Sequence, residues 1–90
     1  MAMDYGRDSG ILKALGHPLR LKIVEMLLLG ENCNVNDIVE RLKLPQSTVS
    51  QHLGLLRNKG ILSHRKEGVR TCYRVTDKRV ARLLRIMASE

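Results

Sequence analysis

The sequence predicts a mainly α-helical fold that carries one small β-hairpin, and three observations predict it. Apolar residues recur at helical spacing (i, i+3, i+4, i+7) in separate segments before Gly60 and again near the C-terminal end. Two of those segments are joined by only a few residues around Leu44 and Pro45. Beyond Gly60 the pattern becomes alternating around a single turn signal, Glu67-Gly68. The expected order is helix, helix, helix, short turn, helix, hairpin, helix.

Each element has its own local reason. Residues 1–8 read as a loose lead-in, and SGILKAL (residues 9–15) as a short helix opened by Ser9. GHPLR breaks it, and Pro18 suits the first turn of the next helix, where a missing N–H costs nothing. That second helix is expected from about Pro18 to Leu29, stopped by Gly30. Its wide apolar arc (Leu19, Ile23, Val24, Met26, Leu27) places it at the centre of the core. In NVNDIVERLKL, Asn34 caps a third helix with Asp37 at the third position, an arrangement like a capping box. Val35, Ile38, Val39 and Leu42 form its single stripe. The fourth helix runs from about Gln46 to Asn58, with Val49, Leu53 and Leu56 inward and His52 on the flank. The hairpin strands are expected at about Ile61–Lys66 and Val69–Val75. Thr76 or Asp77 caps a last helix whose seam is Val80, Leu83, Leu84 and Met87, with Arg79, Arg82 and Arg85 off it.

Third and fourth helices this close in sequence have the spacing of a helix-turn-helix, and a hairpin behind them has the place of a wing. The second helix of such a unit enters the major groove of DNA by its N-terminal residues, which must be small and able to donate and accept hydrogen bonds. Gln46, Ser47, Thr48, Ser50 and Gln51 meet both demands. A Gln side chain can bond adenine at N6 and N7 together. Ser and Thr at a helix start also serve simply as caps, which is the competing reading for Ser47 and Thr48. Arg57 stands at the far end of the helix, and Arg65, Lys66 and Arg70 surround the wing tip, where phosphates would run.

Bulk composition agrees. The chain has 90 residues, enough for one domain, and a formal net charge of +7, the footprint of a polyanion partner. Aromatic residues number two Tyr and no Phe or Trp, so the stacking platforms of single-strand binders are missing and duplex DNA is the expected partner. No apolar run reaches the roughly 18 residues of a membrane span, and MAMDYGRDSG lacks the basic-then-apolar pattern of a signal peptide. A cytoplasmic location follows as an expectation. Ser, His and Asp residues occur without a nucleophile motif or a paired acid, so no enzyme is expected.

With these segments in place, a family resemblance can be stated. LKLPQSTVSQHLGLLRNKGIL resembles the recognition segment of the ArsR/SmtB family of bacterial winged helix-turn-helix repressors. LKALGHPLRLKIVEML is similar to that family's opening helices, and RKEGVRTCYRV to its wing. The likeness extends over about residues 10–88. It implies a homodimer built on the first and last helices that binds an imperfect inverted repeat. It implies DNA contacts from Gln46, Ser47, Ser50 and Gln51, with wing contacts near Lys66 and Arg70. The residues alone also suggest the dimer, because nothing follows the last helix to cover its apolar seam. The partner-facing residues are then expected to be Ile11, Leu12, Leu15, Val80, Leu83, Leu84 and Met87; packing of the last helix onto its own first helix is the alternative.

The family's metal sites find no match. Where a Cys-x-Cys-Asp arrangement would stand in the third helix, this chain reads CNVNDI. In the last helix Asp77 precedes Lys78 and Arg79, and no His follows His64. No metal, cofactor or small-molecule ligand is expected, and His17, His52 and His64 read as scattered structural or surface residues. Cys33 and Cys72 are too far apart in sequence for a CxxC. In winged helices the residues before the third helix commonly pair with the second wing strand, which would set Cys33 opposite Cys72 and suggest a redox-responsive repressor. The plainer reading is two small apolar fillers in a reducing cytosol. A nonspecific architectural DNA binder and a protein-interaction module remain as rival functions.

Overall fold

A computed structural model describes residues 2–30 and 34–89; Cys33 lies outside the described residues. Seven elements follow in order: α1 (Tyr5–Leu15), α2 (Pro18–Leu28), α3 (Val35–Leu42), α4 (Gln46–Asn58), β1 (Leu62–Glu67), β2 (Arg70–Val75) and α5 (Lys78–Ser89). The fold is a winged helix-turn-helix: α1 and α4 packed on α2, α3 packed on α4, a two-stranded antiparallel wing, and a last helix joined back to α1 through Arg79 and Asp8.

The first helix starts earlier than the sequence suggests. Residues 5–8 are helical, not a loose lead-in, because Asp4 is the N-cap and its carboxylate accepts from the Arg7 backbone N–H at 3.0 Å. Ser9 is no cap; its hydroxyl donates back to the Gly6 carbonyl. At the start of α2 the cap is His17, whose Nδ1 accepts from the Leu19 N–H at 3.1 Å, with Pro18 in the first turn. Asn34 caps α3 as expected: its Oδ1 accepts from the Asp37 N–H at 2.9 Å, and its Nδ2 donates to the Asp37 carboxylate at 2.8 Å. Both hydrogen bonds hold the first turn at the entrance to the helix-turn-helix.

The turn between α3 and α4 passes through Lys43 in the left-handed region, φ 55°. At the other end of α4, Gly60 adopts φ 77°, the Gly60 N–H reaches the Arg57 carbonyl and the Ile61 N–H reaches that of Leu56. This pair of bonds is a Schellman closure, and it aims the chain from α4 into the wing. The register runs from Leu62 opposite Val75 to Glu67 opposite Arg70, so Gly68 and Val69 form a two-residue loop. Gly68 has φ 66°, the positive value that the tight hairpin turns require. Asn34 adds a single antiparallel bridge to Cys72, tying the start of α3 to the wing.

Ile23, Val24, Ile38, Val49, Leu53, Leu56 and Ile61 are wholly buried and come from α2, α3, α4 and the wing base. The two end helices correct part of the expected interface. Ile11, Leu15, Val80 and Leu84 are mostly buried within this chain's own core, which leaves them little surface to offer a partner. Each lies on the side of its helix that the core reaches first. Leu12 (54% exposed) and Met87 (60% exposed) stay open, and Leu83 is half-buried. Asp77 caps α5, accepting from the N–H groups of Arg79 and Val80 at 2.9 and 3.2 Å.

Candidate nucleic-acid interface

Ser47, Ser50 and Gln51 lie on a face of α4 turned away from its core stripe, and Gln46 is exposed as the first residue of the helix. Spacing places Ser47, Ser50 and Gln51 together, away from the row of Val49, Leu53 and Leu56 that packs into the core; Gln46 begins that same row and stays open because the helix starts there. Thr48 differs from these residues in burial. It is half-buried on the flank shared with His52, one turn on, and does not project from the open face.

The capping alternative for Ser47 and Thr48 is also settled by position. The N-cap of α4 is Pro45, which supplies no side-chain hydrogen bond, while Ser47 and Thr48 lie inside the first turn. The first N–H groups of α4 therefore have no side-chain cap, and the positive end of the helix dipole faces outward beside the polar face. A phosphate is the kind of group that such an end accepts.

Cations flank this face on two sides. Arg57 is exposed in the last turn of α4, and its guanidinium lies 3.2 and 3.4 Å from the two ring nitrogens of His64 on β1. His64 in turn stacks on Tyr73 at 5.4 Å between ring centres, so the wing base holds Arg57 in place. Arg65, Lys66 and Arg70 are exposed along the wing. Arg65 forms an ion pair with Glu67, which spends part of its charge locally. So exposed a pair is worth at most about 1 kcal/mol, and a phosphate can compete for the same guanidinium.

Sequence reading missed three features near the site. Lys43 is an exposed cation on the turn that leads into α4. Its only sequence signal is that a Lys occupies a turn where Gly is the easier residue. Arg79, read only as lying off the apolar seam, donates to the buried carboxylate of Asp8 at 2.9 Å and joins α5 to α1. His17 and His52 are not scattered: their rings lie 4.9 Å apart, and Arg20 reaches His52 from α2. Burial, with His17 and Arg20 close by, pushes His52 below the usual histidine range. Among the described residues no cluster of His, Cys, Asp or Glu is placed to hold a metal ion, and no helix is long and apolar enough to cross a membrane. Cys72, on β2, is disulfide-bonded.

A basic winged helix-turn-helix with an exposed, hydrogen-bonding recognition helix defines a DNA-binding transcriptional regulator. Residues 17–64 match the family model described as bacterial regulatory protein, arsR family. The transcriptional repressor PagR of Bacillus anthracis is 40% identical over 85 residues, covering 94% of this chain and 85% of PagR. The crystal structure of PagR superposes with a TM-score of 0.84 over 94% of this chain and 97% of that one. HlyU from Vibrio cholerae, named a transcriptional activator, is 36% identical over 97% of this chain and 80% of HlyU, and its structure superposes with a TM-score of 0.87. The homodimeric winged helix-turn-helix DNA-binding domain Mb0332 of Mycobacterium bovis is 29% identical with a TM-score of 0.83, covering 98% of this chain and 85% of that one. The chain belongs to the ArsR family of winged helix-turn-helix transcriptional regulators.

Proposed function

We propose that the protein is a cytoplasmic, homodimeric repressor that occupies an inverted-repeat operator and so blocks transcription. The observation that carries this reading is the two-sided character of α4. Its stripe of Val49, Leu53 and Leu56 is wholly buried, while Gln46, Ser47, Ser50 and Gln51 project outward beside an uncapped helix end. In this reading Gln51 and Gln46 bond base edges, and Ser47 and Ser50 approach bases or the adjoining phosphates. Arg57, Lys66, Arg70 and, after release from Glu67, Arg65 neutralise phosphates on either side. Thr48 supports the helix from its flank. Leu12, Leu83 and Met87 form the surface left for a second copy, which supplies the second recognition helix. No cofactor or small-molecule ligand takes part.

Two rivals make different predictions. An architectural DNA binder would hold all duplexes alike, whereas a repressor discriminates its operator from other sequences by at least about 10³. A protein-interaction module would bind with little dependence on salt, whereas phosphate contacts make log affinity fall steeply with log salt. Titration of a selected operator and a scrambled duplex at several salt concentrations separates all three.

A second reading gives the same repressor a thiol signal. It is favoured by the bonded state of Cys72 and by the antiparallel pairing of Cys72 with Asn34, next in sequence to Cys33, the only other cysteine. In this reading a peroxide oxidises the Cys33 and Cys72 thiols; one disulfide forms, two electrons pass to the peroxide, and two waters leave when the oxidant is hydrogen peroxide. The bridge fastens the wing to the start of the helix-turn-helix and alters operator affinity. Loss of two hydrogen masses after mild peroxide, together with a changed operator affinity, is the expected result; unchanged affinity removes the signal.

A further inference from the structure

The buried stripe of α4 sets how deeply the helix sits and which side faces the core, and a directional polar contact on its flank adds a finer control of rotation about the helix axis. That rotation matters. With side chains reaching about 5–6 Å from the axis, a roll of about 10° carries a side-chain tip by about 1 Å. A hydrogen bond to a base edge does not survive such an error at full strength.

One polar junction lies where it can prevent that roll. Arg20, in the first turn of α2, donates through Nε to the Ala14 carbonyl at 2.6 Å, near the end of α1. Its NH1 lies 3.4 Å from Nδ1 of His52, on the half-buried flank of α4. A guanidinium can only donate, so Nδ1 of His52 accepts and the ring carries its proton on Nε2. The other side of the ring meets His17 at 4.9 Å, tilted by 54°. His17 is itself fixed, because its Nδ1 caps α2. The junction thus joins the end of α1, the start of α2 and the middle of α4. His52 directly follows Gln51, and neither Arg20 nor His52 lies on the outward polar face.

We infer that Arg20 and His52 are positioning residues: their hydrogen bond fixes the rotational setting of α4 and thereby the sequence discrimination of Gln51 and its neighbours. This rests on the reading that α4 enters the major groove. It assigns work to two side chains that touch no base, and it separates discrimination from general affinity for DNA. Asn is the natural replacement for His52, since its Oδ1 stands where Nδ1 stands and accepts the same bond. The amide of Gln extends too far to do so.

The test uses the full chain, an operator selected from random duplexes, and a scrambled duplex of equal length. His52→Gln should lower the operator-to-scrambled affinity ratio about tenfold, the worth of one mis-set base contact, with affinity for the scrambled duplex unchanged. His52→Asn should keep the wild-type ratio. Arg20→Lys keeps the charge but not the forked donor and should show the same tenfold loss, so it carries the test should His52→Gln fail to fold. Adding Arg20→Lys to His52→Gln should cost nothing more, because both break one bond. A wild-type ratio in both His52→Gln and Arg20→Lys overturns the inference while leaving the DNA reading intact. An equal drop on both duplexes also overturns it, by showing a general loss of affinity or of structure. If the wild-type protein itself prefers no sequence, the DNA reading fails first and takes this inference with it.

Discussion

Arg79 in α5 donates to the carboxylate of Asp8 in α1 at 2.9 Å, across 71 positions of sequence. Asp8 is only 6% exposed, whereas Arg79 keeps about half of its side chain in water. The pair therefore fastens the two end helices to each other.

Its pH dependence has a definite sign. The Arg79 hydrogen bond and charge hold the Asp8 carboxyl below the usual Asp value of 3.8. A carboxylate with a depressed value stabilises the folded chain above its unfolded pKa, and that contribution is lost as pH falls through the folded value. Asp8→Asn should lower the melting temperature at pH 7, and the gap to wild type should narrow steadily as the pH is taken down through 4 and below. A gap that stays constant over that range would show that the ionised pair contributes nothing.

The core of the recognition helix should tolerate little. Leu53 is wholly buried among α2, α3 and α4 residues, and Leu53→Ala should cost about 2–5 kcal/mol in urea unfolding. For so small a chain that is a large share of a total stability of about 5–15 kcal/mol.

Lys43 offers the opposite case. A side chain in the left-handed region carries a penalty of about 1–2 kcal/mol that Gly does not. Lys43→Gly should raise stability by up to about 1 kcal/mol, after the added freedom of Gly in the unfolded chain is offset. The same change removes a cation from the turn before α4, so affinity for every duplex should fall slightly and to the same degree. A stabilised variant with unaltered DNA affinity would show that Lys43 contacts no phosphate.

The surface left open on the end helices should govern assembly. Met87→Asp places a charge on an exposed apolar position of α5 without touching the buried Val80 and Leu84. We expect it to give a folded monomer by sedimentation, with operator affinity reduced at least about tenfold, since a lone protomer meets one half-site. A dimer that survives both Met87→Asp and Leu12→Asp would place the interface elsewhere.

How much of this was legible in the sequence follows from the range of each interaction. The bounds of α4, Gln46–Asn58, are local: Pro45 before it and Gly60 after it act within a few residues, and the observed helix agrees with the sequence reading. The wing strands were displaced by one residue because the loop centres on Gly68-Val69, with Glu67 already paired to Arg70. The early start of α1 rests on a local cap, Asp4, which the reading of Ser9 as the helix opener passed over. The open face of Ser47, Ser50 and Gln51 could be read from spacing, whereas Gln46 is open because it is the first residue of α4. The junction of Arg20, His17 and His52 has no signature of its own, since three residues on two helices meet only through the packing of α2 on α4. The division of the end-helix apolar residues between core and surface was likewise settled by tertiary packing, which took Ile11, Leu15, Val80 and Leu84 inward.

Gln51 and Arg70 are assigned different work, and one experiment tests that assignment most directly. Duplexes selected from a random pool by wild-type protein should converge on an inverted repeat whose half-sites lie about one helical turn apart. Repeated with Gln51→Ala, the selection should lose preference at one position of each half-site; with Arg70→Ala it should return the same repeat, bound more weakly and with a salt slope smaller by about one. No enrichment from the wild-type pool, or indistinguishable outcomes for the two variants, would contradict the claim that the outward face of α4 reads DNA.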